Sequence, residues 1–138
     1  MRKGLEMKKM LVLFAAVILL MLGSVVSEAK TTSFNVTVNA NVMNKDPFSY
    51  KEMKDDGEKN FYVRPTYFSA KGAIKVRSVY SSNYNQKSGW VYLYSDNLNV
   101  ATVNPYNCTV YPGGSYYLQS DYGWGSSSEI NVRGYYTP

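Results

Sequence analysis

Ser33-Phe34-Asn35-Val36-Thr37-Val38-Asn39-Ala40-Asn41-Val42 alternates apolar and polar residues without a miss. Phe34, Val36, Val38, Ala40 and Val42 fall on one side, and Asn35, Thr37, Asn39 and Asn41 on the other. Successive side chains of a strand point to opposite faces, so this stretch predicts a strand with one face in a core and one in water. The rest of the chain repeats the theme in shorter pieces. Strands are expected at Asn60 to Phe68, Ala73 to Tyr80, Trp90 to Tyr94, Leu98 to Val103, Tyr106 to Tyr111, Ser115 to Asp121 and Glu129 to Tyr136. Turn signals separate them, among them Lys71-Gly72, Ser95-Asp96-Asn97, Asn104-Pro105, Pro112-Gly113-Gly114 and the Gly123–Ser128 run. Pro65 marks its strand as an edge or a bulge, because proline has no N–H to give a ladder. Seven or eight short strands with no long helix between them predict an all-β fold, a single antiparallel β-sandwich.

Upstream of the first strand the sequence reads as a leader. Arg2, Lys3, Lys8 and Lys9 precede Leu11–Val26, sixteen residues without a charge. Ser27 and Ala29 then place small residues at the −3 and −1 positions of a cleavage site between Ala29 and Lys30. The apolar run is shorter than the ~20 residues that a spanning helix needs. Residues 1–29 are therefore expected to be a helical signal peptide, starting at Met1 or Met7, and residues 30–138 a single secreted domain. The short basic start suits a Gram-positive bacterium. With the leader removed, the exported chain keeps only a small positive charge.

Between the first two strands, residues 43–60 hold nine charged side chains and no alternation. Asp46-Pro47 can cap and start a short helix through about Lys54, with Gly57 as its stop; a solvated charged loop is the other form this segment can take.

Composition narrows the chemistry. There is no His, which removes the commonest general base and metal ligand. The single Cys108 admits no internal disulfide and no Cys-rich metal site. It is expected to pack as a small hydrophobe beside Val110. Asp55-Asp56-Gly57-Glu58 lacks the spacing of a calcium loop. Asp96, Asp121 and Glu129 are candidate carboxylates, but nothing in their spacing pairs them as a glycosidase requires. No Gly-rich phosphate loop or basic cluster appears. The expectation is a protein without enzymatic activity, cofactor or bound metal, and without a nucleic-acid partner.

Aromatic content is what stands out. The chain has 14 Tyr, and its exported part has three Leu against eleven Val, a strand-forming balance. If Val91 and Leu93 face a core, Trp90, Tyr92 and Tyr94 form an outward row. If Tyr116, Leu118, Ile130 and Val132 face inward, Tyr117 and Tyr135 face outward, and Tyr62 joins them opposite Phe61, Val63 and Tyr67. Lys75 and Arg77 alternate with Ile74 and Val76. Flat rings on a rigid sheet offer sugar faces or a protein partner large contact area at low entropic cost. A one-residue change of register would turn the same rings into core. The candidate binding set is Tyr62, Trp90, Tyr92, Tyr94, Tyr117 and Tyr135 with Lys75 and Arg77, the two cations favouring anionic wall polymers. The expected function is binding of cell-wall polysaccharide or a protein. The alternative is a bacteriocin-like toxin whose rings insert at a membrane interface.

Tyr111-Pro112-Gly113-Gly114-Ser115-Tyr116-Tyr117-Leu118 through Val132-Arg133-Gly134-Tyr135-Tyr136-Thr137-Pro138 resembles the C-terminal half of small secreted proteins of bacilli and clostridia. The shared order is a Gly turn, a Tyr/Leu strand, a Gly-rich loop and a last strand with a Gly–aromatic pair. The resemblance implies secretion and a β-sandwich and assigns no functional residue. In size, leader and aromatic content the chain is also similar to β-sandwich bacteriocins of the lactococcin type, from which its lack of His departs.

Overall fold

A computed structural model of the chain describes residues 30–41 and 52–138. The leader, its cleavage after Ala29, Val42 and the helix start at Asp46-Pro47 lie outside the described residues. All regular structure within them is strand: β1 Thr32–Asn39, β2 Glu52–Met53, β3 Asn60–Phe68, β4 Gly72–Tyr80, β5 Val91–Tyr94, β6 Thr102–Pro105, β7 Ser115–Gly125 and β8 Glu129–Thr137. They make two antiparallel four-stranded sheets, a first in the order β1-β8-β3-β6 and a second in the order β2-β7-β4-β5.

The alternation seen in the sequence accounts for the core. Phe34, Val36 and Val38 of β1 and Ile130 and Val132 of β8 meet Ile74 and Val76 of β4, Leu93 of β5 and Leu118 of β7 in one buried cluster. A core drawn from the inner faces of both sheets is consistent with a β-sandwich. Burying each such aliphatic side chain contributes roughly 1.5–3 kcal/mol.

Several elements differ from the sequence reading, each for a physical reason. β1 stops at Asn39, and Ala40 turns out to solvent as its N–H bonds Ser128 O. The strand expected at Leu98 to Val103 begins only at Thr102. Before it, Asn99 adopts a left-handed φ of 63° and donates its N–H to Pro65 O, which makes the segment a turn with Leu98 and Val100 exposed. Asn104-Pro105, read as a turn, completes β6; this is the sheet's edge strand, where proline is tolerated. Tyr106 to Tyr111 forms no strand. Tyr106 is buried, and Cys108 and Val110 do pack on the core beside it, but without a ladder. Cys108 is half-buried, and desolvation raises its thiol pKa.

The charged segment also departs from expectation where it is described. Glu52–Met53 pair with β7 as strand rather than helix. Lys54 is buried, its Nζ donating to Pro138 O (2.9 Å) and Asp56 Oδ1 (3.2 Å) above the Tyr106 ring. Its backbone clamps Gly113 and Gly114 through two further hydrogen bonds. Lys54 is thus a pin between segments rather than a solvated charge.

Two bulges reset the alternation. In β3 the register against β8 shifts between Pro65 and Tyr67. Tyr67, expected to face inward with Phe61 and Val63, is therefore exposed, and Phe68 packs on the core. Pro65 accepts from Asn99 on the side where β6 has already ended, so its missing N–H costs no ladder bond. In β7 the register against β4 shifts at Gly123, and the strand runs on to Gly125 instead of breaking into a loop.

Candidate functional site

Core packing on one side of the second sheet decides what its outer side shows. With Ile74, Val76 and Leu93 buried, β4 turns Lys75 and Arg77 outward, and β5 turns out Tyr92 and Tyr94. The register then builds rows across the sheet. Tyr92, Lys75 and Asp121 form one row; Tyr94, Ala73 and Trp124 form the next; Arg77 lies opposite Gln119, and Val79 opposite Tyr117.

The side chains of this face engage one another. Trp90, just ahead of β5, receives two cations on its ring, Arg77 Cζ at 4.1 Å and Lys75 Nζ at 5.1 Å. Lys75 also pairs with Asp121 at 3.1 Å, and Arg77 Nε donates to Gln119 Oε1 at 2.7 Å. The Tyr92 and Tyr94 rings lie 6.2 Å apart with planes inclined by 23°. Tyr84, from the β4–β5 connection, stacks on Tyr117 at 6.4 Å with the planes 6° apart. The result is an aromatic face in which the two cations steady Trp90. A cation held over an indole contributes roughly 0.5–2 kcal/mol, which favours a fixed ring over a mobile one.

Six of the eight expected residues, Trp90, Tyr92, Tyr94, Tyr117, Lys75 and Arg77, come together on this face. Tyr62 and Tyr135 do not. Both lie on the first sheet, Tyr135 in β8 and Tyr62 in β3, where Tyr62 Oη donates to Glu58 Oε1. That hydrogen bond, with burial adding to it, raises the Tyr62 pKa. Alternation separates inside from outside, but it does not say which of two sheets a strand joins. Trp124 and Tyr84 escaped the sequence reading. Trp124, 51% exposed, reaches the face because Gly123 is an extra residue in the pairing of β7 with β4. The one hint was Gly123 itself, flanked by Tyr122 and Trp124.

Among the described residues no three His, Cys, Asp or Glu side chains gather as metal ligands would. Asp96, Asp121 and Glu129 stand on different elements, and Asp121 is engaged by Lys75. No family model, curated protein or solved structure matches this chain.

Proposed function

We propose that the protein is an exported binding protein without catalytic activity, and that residues 30–138 form one β-sandwich domain whose second sheet contacts cell-wall glycan. One observation carries this reading: Tyr92, Tyr94 and Trp124 remain 40–51% exposed on a single sheet face around an anchored Trp90. Large rings left in water on a rigid scaffold mark an interaction surface more often than a fold requirement. Sugar rings present apolar C–H faces to such rings, while the amide of Gln119 and the cationic groups of Arg77 and Lys75 are of the chemistry that suits hydroxyl and phosphate oxygens. Export is supported by the leader-like composition of residues 1–29.

Cosedimentation with insoluble Gram-positive cell walls tests it. The protein is expected to pellet with the walls. A Tyr92→Ala/Trp124→Ala variant, which removes exposed rings and no core, is expected to stay in solution with an unchanged circular dichroism spectrum. Wild-type protein that stays in the supernatant, or a folded variant that still pellets, overturns the reading. Growth inhibition of neighbouring strains without wall binding would favour the membrane-active alternative.

A further inference from the structure

The outer face of the first sheet carries a different chemistry. Register places Tyr135 between Ser33 of β1 and Arg64 of β3, and Arg133 between Asn35 of β1 and Tyr67 of β3. Arg64 Cζ lies 5.0 Å from the Tyr135 ring centroid, and Arg133 Cζ lies 4.9 Å from that of Tyr67. The four side chains form a square, with guanidiniums on one diagonal and rings on the other. The bulge after Pro65 is what brings Tyr67 opposite Arg133. Diagonal neighbours across a sheet are about 7–8 Å apart, close enough for both forks to converge on one ligand.

Neither arginine has a carboxylate partner among the described residues. The ion pairs among the described residues are Lys30–Asp55, Lys54–Asp56 and Lys75–Asp121. Arg133 Nε donates to Asn131 Oδ1 at 3.3 Å, and Asn131 is itself held through its Nδ2 by Asn35, Val36 O and Thr37. This fixes one edge of the Arg133 guanidinium and leaves its terminal N–H groups without an acceptor among the described residues. Two positioned, uncompensated guanidiniums on one face call for an anion.

The shape of the face narrows the anion. Ser33 and Asn35 are short side chains opposite the long Tyr135 and Arg133, so the surface steps down over β1. The step forms an open groove of about 290 Å³, which Thr66 and Gly134 also line. That volume is at the small end of ligand clefts. Ser33, Asn35 and Thr66 offer hydroxyl and amide groups beside the two forks. The Tyr67 and Tyr135 rings each carry a guanidinium over one face. A carboxylate needs only the guanidinium edges.

We propose that this groove is a second binding site, for a carboxylate-bearing saccharide of the uronic-acid type. Arg133, which lines the groove, and Arg64, which stands at its margin over the Tyr135 ring, would take the carboxylate, and Ser33, Asn35 and Thr66 the hydroxyls. The site lies on the other sheet from the aromatic face and does not rest on the wall-binding reading.

Isothermal calorimetry with polygalacturonate tests it, beside the same polymer fully methyl-esterified and a single-stranded oligo(dT). The protein is expected to bind polygalacturonate and not its ester. Arg64→Gln/Arg133→Gln should weaken binding by at least about tenfold with the circular dichroism unchanged. Arg64→Lys/Arg133→Lys, which keeps charge but not the planar fork, should recover only part of it. Tyr92→Ala/Trp124→Ala on the opposite sheet should bind as the wild type does, even if wall binding through that sheet is disproved. Absence of polygalacturonate binding, equal binding of the ester, or undiminished binding by the Gln variant overturns the proposal. Oligo(dT) binding of equal strength also overturns it and reassigns the face to nucleic acid.

Discussion

Ser78 is a small residue with a large role. It is buried in β4, and its hydroxyl lies 2.6 Å from both the Tyr106 and the Tyr136 hydroxyls. Hydroxyls in a core need such partners, since an unpaired one costs about 1–3 kcal/mol. Burial pushes the pKa of Tyr106 and of Tyr136 well above the ordinary tyrosine value, more than the Ser78 hydrogen bonds lower it. In the unfolded chain these phenols ionise near pH 10, whereas the folded chain keeps their protons to higher pH. Their contribution to stability is thus complete below about pH 10 and is lost as pH rises from there through the folded values, because the unfolded state sheds protons that the native state retains. Urea midpoints measured from neutral pH upward should hold level with respect to these groups and fall steeply above about pH 10; a level midpoint well beyond that would show that the phenols ionise without unfolding. None of this was legible in the sequence. The hydroxyl partners lie 28 and 58 positions from Ser78, and period-2 patterning carries no signal for contacts across sheets.

Strands were legible where alternation runs unbroken and illegible where one residue is added. β3 and β8 lie within a residue of their expected limits, and the inward residues of β1 and β8 are those the pattern named. Tyr67 and Trp124 went astray at the two bulges, since one extra residue reverses every later side chain. The Gly123 bulge tolerates no side chain. A Cβ there would lie 2.6 Å from the Ala73 carbonyl oxygen and 3.2 Å from the Tyr92 ring. Gly123→Val should therefore destabilise the fold by about 1–3 kcal/mol in urea unfolding and weaken wall binding, because Tyr92 and Trp124 would shift. A variant as stable as the wild type would mean that β7 can relax elsewhere, and that the bulge does not set the face. The segment at Tyr106 to Tyr111 shows the converse error. Its alternating residues do share the core side, yet an anchored Tyr106 suffices to hold them without pairing.

At the scale of the whole molecule, topology decides which outward residues act together. β8 joins β1 and β3, whereas β7 joins β4, so Tyr135 and Tyr117 end on different sheets although the sequence presents them alike. Partition of the faces follows: aromatic side chains around a Lys75–Asp121 ion pair on one sheet, and on the other two guanidiniums with no carboxylate partner among the described residues. Trp90 and Trp124, the only two tryptophans in the chain, stand on the same face of the second sheet. Emission excited selectively in the indoles therefore monitors that one surface. A ligand settling there should quench or shift the signal, and one occupying the arginine groove should leave it still. The molecule thus carries a built-in optical reporter that tells its two sides apart with no label attached.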